Sequence, residues 1–297
     1  MGCVNKPFLK WAGGKYRILD RILRELPSGA RLVEPFAGSC AVYLNAPFAE
    51  ALVCDLNSDL ISLYQHLQQE GEAFIQYCAS FFIPQNNRRE VYLELRARFN
   101  ASTEARERAA LLLYVNRHAF NGLIRYNSKG GFNVPFGRYA KPYFPREELR
   151  LFQRKAQSTE TVFLAEDFRA VFAALQPGDV VYCDPPYAPL SPSASFTSYA
   201  GNVFDTQDQQ DLAQLAQDAW RKGIPVILSN HDTPLTRRLY STAIIKRFEV
   251  QRFISRNGDN RELAPELLAV YGQARCRRFS GKPRKRDHVG IALVKKM

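Results

Sequence analysis

The feature that most constrains this chain is a series of short apolar runs, each closed by an acid or a tight turn and spaced by helix-length stretches. Residues 30–36 (ARLVEPF) read as a strand that runs into the turn Ala37-Gly38-Ser39-Cys40. Residues 51–55 (ALVCD) and 162–165 read as further strands, the latter ending at Glu166-Asp167-Phe168. Residues 180–183 follow the turn Pro177-Gly178-Asp179, and residues 226–229 form another buried run. Strands alternating with helical stretches indicate βαβ units and therefore an α/β fold on a largely parallel sheet. Residues 244–255 then alternate apolar and polar, residues 256–260 turn, and residues 267–271 are apolar again, as in an antiparallel hairpin that finishes the sheet. A chain of 297 residues, 46% hydrophobic, can bury a core of that size.

One stretch breaks the alternation. Residues 60–68, 91–99 and 105–116 carry apolar positions at helical spacing, whereas residues 120–139 are rich in Gly, Asn and aromatics and read as a hairpin. Residues 59–145 are accordingly an inserted module, and residues 1–58 with 146–274 are the discontinuous α/β body. Charge follows the same division. Residues 86–146 hold twelve Lys/Arg against four Asp/Glu, and residues 275–297 hold nine against one, out of a net +12. The remainder is mildly acidic. Two concentrated basic segments on an acidic body are the electrostatic footprint of a protein that binds a polyanion. The last segment, with Gly281 and Pro283, reads as a basic, poorly ordered tail.

Other classes are disfavoured. The six cysteines are scattered with no C-x-x-C pair, and the four histidines do not lie near them at ligand spacing. Neither a metal site nor a disulfide framework is expected, and free thiols of a reducing cytoplasm are. No apolar run reaches 18 residues, so no membrane span and a cytoplasmic location are expected.

The sharpest motif is Asp184-Pro185-Pro186-Tyr187, directly after the run 180–183. An exocyclic adenine amine is a poor nucleophile because its lone pair is delocalised into the ring. Acceptors on its two N–H bonds, the Asp184 carboxylate and the Pro185 carbonyl, would pull it towards tetrahedral geometry and free that pair. Proline fixes φ and so aims the carbonyl. Tyr187 offers a flat face to a base taken out of a duplex. Catalysis would then be positioning for in-line attack on a sulfonium methyl, with no covalent intermediate. The same residues could instead form a rigid strand-capping turn, and Cys183 reads as a buried core thiol.

Two further elements suit a nucleoside ligand. Glu34-Pro35-Phe36-Ala37-Gly38 lets backbone approach a ligand at a strand end, and Asp55, ending the next strand, can accept both ribose hydroxyls. Asp167 and Phe168 offer a carboxylate and a ring for an adenine, although an acid there also reads as a helix N-cap. Near the N-terminus, Lys10-Trp11-Ala12-Gly13-Gly14-Lys15 has two glycines whose amides can converge on an anion such as a carboxylate; the spacing is not that of a P-loop.

The order KWAGGK, VEPFAG, VCDLN, a basic insertion, DPPY and SNHDT closely resembles the Dam-type DNA adenine methyltransferases, from about Lys6 to Tyr271. The runs RYNSKGGFNVPFGRY and VVYCDPPYAPLS carry the likeness more specifically than DPPY alone. The resemblance implies a seven-stranded mixed sheet of the S-adenosylmethionine-dependent methyltransferase type, an inserted helical and β-hairpin DNA-recognition module, S-adenosylmethionine as donor and 5′-GATC in double-stranded DNA as target, acted on by a monomer. It also implies a cofactor site at Trp11, Ala12, Gly13, Gly14, Lys15, Glu34, Pro35, Phe36, Ala37, Gly38, Asp55, Asp167, Phe168 and Asp184. The catalytic motif is then Asp184, Pro185, Pro186 and Tyr187.

In the insertion, Phe120, Asn121, Leu123, Arg125, Pro135 and Arg138 are similar to a finger that enters DNA, with Lys10 reaching another base. Arg125 suits a two-pronged contact to guanine, Leu123 and Pro135 suit a thymine methyl, and Phe120 suits a wedge into the gap a flipped adenine leaves. Two positions depart from the pattern: Cys40 stands where family members usually carry a second glycine, and Phe120 where tyrosine is common. A cytosine N4 methyltransferase would use the same amine geometry but more often has Ser at the position of Asp184. A non-catalytic DNA-binding protein that retained the fold is the other alternative, against which the intact Asp184–Tyr187 motif speaks.

Overall fold

A computed structural model describes residues 4–189, 204–251 and 263–272. Within them one sheet contains seven strands: β1 (Arg31–Glu34), β2 (Glu50–Asp55), β3 (Glu160–Ala165), β4 (Asp179–Cys183), β5 (Val226–His231), β6 (Ile244–Gln251) and β7 (Leu263–Tyr271). Their spatial order is β3-β2-β1-β4-β5-β7-β6. The first five are parallel; β7 runs antiparallel to β5 and β6 antiparallel to β7, the mixed sheet expected of this pattern. The turn joining β6 to β7 and the basic tail lie outside the described residues.

The apolar runs are continuous because the central strands are buried on both faces. Along β4, Val180 and Tyr182 enter one core while Val181 and Cys183 enter the other. The same period of two divides β2, with Ala51 and Val53 on the first face and Leu52 and Cys54 on the second. The first face is covered by α1 (Leu19–Glu25), α2 (Ala41–Asn45), α3 (Ser58–Glu70) and, after the insertion, α7 (Arg146–Ser158). The second is covered by α8 (Phe168–Ala173), α9 (Thr206–Arg221) and the segment of α10 (Pro234–Leu239) with Tyr240.

The insertion continues the first core rather than founding its own. The helices α4 (Glu72–Ala79), α5 (Arg89–Ala101) and α6 (Ala105–His118) bring Phe74, Tyr92, Phe99 and Leu111 to Leu113 into the same apolar cluster as Leu32 and Val53 of the sheet. Periodicity locates α3, α5 and α6 but not α4, whose eight residues are too few to display a helical repeat. Residues 120–139 are not the regular hairpin their composition suggests. They form a short 3-10 turn, Phe120–Gly122, and a loop closed by two isolated bridges, Ala119 to Phe136 and Tyr126 to Phe132. The physical reasons are local: Asn121 and Gly122 both have positive φ, and Pro135 has no N–H for a ladder. Side chains replace the missing ladder, with Tyr92 and Arg96 of α5 donating to the Val134 carbonyl and Asn100 bonding both the N–H and the C=O of Phe132.

Among the described residues no helix is long and apolar enough to cross a membrane, and no group of three or more His, Cys, Asp or Glu could hold a metal ion.

Candidate active site and nucleic-acid interface

The strand order reverses between β1 and β4, so the loops leaving their carboxyl ends diverge and open a crevice, the place where ligands bind in open α/β sheets. The cleft there is lined by Trp11, Gly14, Lys15, Glu34, Phe36, Ala37, Gly38, Ser39, Ala41, Val42, Tyr182 and Asp184. Three segments far apart in sequence, KWAGGK, EPFAG and DPPY, thus meet at one point. Ala12, Gly13, Pro35, Asp55, Asp167 and Phe168 do not line it.

The turn after β1 is built by backbone and by Asp55. Ala37 N–H donates to the Cys54 carbonyl at 2.7 Å, Gly38 N–H to Asp55 Oδ2 at 3.0 Å, and Tyr64 OH to the Gly38 carbonyl. Asp55 Oδ1 accepts from Asn57 N–H at 3.0 Å, so the carboxylate at the end of β2 is engaged through both oxygens in fixing this turn. Burial pushes its pKa up, against the pull of those two N–H groups. Gly38 has φ +47°, and a Cβ built there would sit 2.8 Å from Trp11 Nε1. Cys40 adopts the left-handed conformation, φ 58° and ψ 33°, fully buried as the N-cap of α2. The position therefore asks for the geometry that favours glycine and receives a side chain.

Gly38→Ala should lower stability by more than Gly13→Ala. Gly13 has φ +74° and open space within 4 Å of where a methyl group would stand, so its cost is the left-handed backbone alone, about 1–2 kcal/mol. Equal losses in thermal denaturation would show that Trp11 yields without cost.

Two carboxylates face the cleft. Glu34, at the end of β1, is 2% exposed, and its Oε1 has no hydrogen-bond partner. Burial raises its pKa to about 8, with the Asp184 charge adding to the shift and a backbone bond from Tyr43 opposing it. Asp184 begins the loop after β4. Lys15 Nζ lies 2.7 Å from its Oδ1, and Ser229 Oγ donates to the same oxygen at 3.0 Å. Among the described residues no hydrogen bond to Oδ2 is found, so Oδ1 is the anchored oxygen. Burial pushes Asp184 up, opposed first by Lys15 and then by Ser229. Lys15 Nζ also donates to the Gly13 carbonyl at 2.6 Å and stands 4.5 Å above the Tyr187 ring. Cys183 is fully buried, with its thiol pushed well up by burial, which suits a core position and not a nucleophile.

At the end of β3 the nucleoside assignment meets competing roles. Asp167 is the N-cap of α8, accepting from Arg169 N–H at 2.8 Å, and Phe168 is 4% exposed with its ring 5.5 Å from those of Phe36 and Phe204. The register of β2 and β3 sets Asp55 opposite Ala165, so these residues stand beside the Asp55 end of the crevice.

The insertion presents its loop next to the KWAGGK segment. Phe120 is 50% exposed, and Asn121, Pro135 and Arg138 are exposed. Phe120 N–H donates to the Pro135 carbonyl at 2.8 Å, which clamps the two sides of the loop together. Leu123 and Arg125 are half-buried, and Arg125 is held by Asn133 through Nε at 2.7 Å. Lys10 Nζ lies 3.9 Å over the Tyr139 ring, and its pKa is lowered by burial and by neighbouring Arg117.

Sequence reasoning assigns no role to several residues that hold these parts. Asn116, fully buried on α6, bonds both the N–H and the C=O of Lys10 and the carbonyl of Gly122, tying the KWAGGK segment to the loop. Gly122 is required at that contact, since a Cβ there would lie 2.4 Å from Lys10 Cβ. Ser229, Asn230 and His231 of β5 and Gln209 of α9 bond the DPPY loop. A buried Asn in a helix carries no sequence signature, and SNHDT is visible only as part of the motif order.

The signature of the D12 class N6 adenine-specific DNA methyltransferases matches residues 11–254. The DNA adenine methylase of Vibrio cholerae serotype O1 is 51% identical over 268 residues, covering 90% of this chain and 96% of its own. That of Escherichia coli K12 is 49% identical over 267 residues, at 90% and 95% coverage, and that of Serratia marcescens 48% over 268 residues, at 90% and 98%. With the three motifs converging on one crevice and the family signature spanning most of its length, the chain belongs to the D12 class of N6 adenine-specific DNA methyltransferases.

Proposed function

We propose that the crevice binds S-adenosylmethionine and that the enzyme methylates an adenine rotated out of duplex DNA, within 5′-GATC. The observation that carries this reading is Asp184: one oxygen is fixed by Lys15 and Ser229 at the end of β4, and the other is left to accept an amine N–H. The Pro185 carbonyl is the second acceptor, and Tyr187 is the stacking face. S-adenosylmethionine supplies an electrophilic sulfonium methyl. The donor set fits it: Glu34 offers a buried, unpartnered carboxyl oxygen to an ammonium, Gly38 lets the Trp11 indole pack close against the turn, and Asp55 retains lone pairs for hydroxyls. Asp167 and Phe168 would border the adenine ring from the end of β3, with Trp11 to Lys15 closing over the crevice.

In this division of labour residues 1–58 and 146–274 bind the donor and carry the chemistry, and residues 59–145 recognise DNA. Phe120 is the wedge, Arg125 the guanine reader, Leu123 and Pro135 the thymine contacts, and Lys10 a reader from the donor side. Asn121 and Arg138 would steady the finger on the backbone. The relatives named above are DNA adenine methylases, which supports the same substrate here. The test is incubation with labelled S-adenosylmethionine and duplexes that contain or lack one GATC; label transfer confined to GATC duplexes is expected, and equal labelling of both refutes the target.

Glu34 gives the donor site a pH signature. A carboxyl with a pKa of about 8 holds a proton at neutral pH, and an ammonium bound against it would favour the ionised form and expel that proton. Donor affinity should therefore rise from pH 6 to 8 in the wild type and lose that dependence in Glu34→Gln, measured by calorimetry with S-adenosylhomocysteine. The stability of the free enzyme has the opposite sign. Between the unfolded value near 4.5 and about 8 the folded state holds the extra proton, so Glu34 favours folding at low pH and that contribution fades as pH rises through this window.

A further inference from the structure

We propose that two buried amides, Gln209 and Asn230, act as positioning residues for Tyr187 by holding both peptide groups that flank it. The carbonyl of Pro186 belongs to the peptide before Tyr187, and the N–H of Ala188 to the peptide after it. Gln209 Nε2 donates to the first at 2.8 Å, and Asn230 Oδ1 accepts from the second at 3.0 Å. With both flanking planes fixed, φ and ψ of Tyr187 are fixed as well.

The two amides are themselves locked. Asn230 Nδ2 donates to Gln209 Oε1 and to Tyr240 OH, each at 3.0 Å, and Asn230 Oδ1 also accepts from His231 N–H at 2.9 Å. Asn230 thereby uses all four of its hydrogen-bonding positions. Asn230 and Tyr240 are fully buried and Gln209 is 2% exposed, so water cannot substitute for a lost partner. The group joins β5 of the sheet, and the first turn of α9 and the residue after α10 from the layer over its second face, to the loop that leaves β4. The Tyr187 ring receives separate support. It meets the His231 ring in a T-shaped pair, 4.7 Å between ring centres, with His231 Nδ1 2.7 Å from the Ala188 carbonyl, and its hydroxyl donates to Glu266 at 3.3 Å. Backbone and ring are therefore held from different directions, as a platform must be if a base is to stack on it without rearrangement.

The inference rests on Tyr187 being the stacking face. The experiment is a double-mutant cycle, with Gln209→Leu, Tyr187→Ala and the pair assayed for kcat and donor KM on a duplex carrying one target site. Gln209→Leu should lower kcat about tenfold, the effect of one buried hydrogen bond, with donor KM unchanged. In the Tyr187→Ala background the same substitution should change kcat less than about twofold, because linked residues are not additive. Gln209→Met, which keeps the length of the side chain, serves if Gln209→Leu does not fold. A full loss in the Tyr187→Ala background, or a rise in donor KM, overturns the positioning role. If Tyr187→Ala alone leaves kcat intact, the stacking reading falls, and the proposal with it.

Discussion

Asp184→Ala should lower methyl transfer by at least ~10²-fold, the usual loss when one preorganised electrostatic contact is deleted, while duplex binding stays near normal. The substitution removes the amine acceptor and no contact with phosphate. It also leaves Lys15, 7% exposed, without its carboxylate partner, so some loss of thermal stability should accompany the loss of rate. Asp184→Asn separates the two effects: the amide can still accept through oxygen, but the charge paired with Lys15 is gone. Because burial raises the Asp184 pKa, and protonation removes the acceptor, kcat in the wild type should fall on the acid side at a higher pH than an ordinary aspartate would give. Turnover that survives Asp184→Ala would mean that the amine is activated elsewhere.

The second large effect concerns base reading. Arg125→Ala should relax discrimination at one guanine by about 1–3 kcal/mol, the worth of a two-pronged contact to O6 and N7. Asn133, which holds the Arg125 guanidinium through Nε and through its own carbonyl, should reproduce part of that loss when changed to alanine. Removing residues 275–297, which carry eight net positive charges outside the described residues, should act differently. It should weaken all duplexes alike and flatten the salt dependence, each lost phosphate contact removing roughly 0.9 from the slope of log affinity against log salt. Methylation of matched and single-mismatch duplexes over a salt series reads both variants together. If the truncation changes which site is methylated, or Arg125→Ala lowers every site equally, the two basic segments have been assigned the wrong way round.

How much of this is legible in the sequence depends on the range of the interactions involved. The strands are visible because β2 and β4 are buried on both faces, which leaves a continuous apolar run. The crevice is visible because Glu34 and Asp55 each end a strand and Asp184 directly follows one, and parallel strands bring their ends to one edge. Helix α4 is not, being short and joined to α3 through Gly71 without a break in polarity. The loop of residues 120–139 is legible in composition but not in form, since Tyr92, Arg96 and Asn100 of a distant helix supply the bonds a hairpin would have made itself. Asn116 and Gln209 are illegible for the same reason. Their partners lie far along the chain, at Lys10 and at Pro186, and nothing local marks a polar side chain that will be buried. Asp167 shows the opposite case: a residue with two local readings, of which the N-cap is met in the structure.

The central claim, that this crevice directs a methyl group to N6 of adenine in one short duplex sequence, is tested most directly by identifying the product. A random duplex pool is incubated with the enzyme and S-adenosylmethionine, and each modified base is located and its methylated atom determined. The expected result is N6-methyladenine confined to GATC in the wild type and no product with Asp184→Ala. N4-methylcytosine, or methyladenine scattered without a shared sequence, would contradict it.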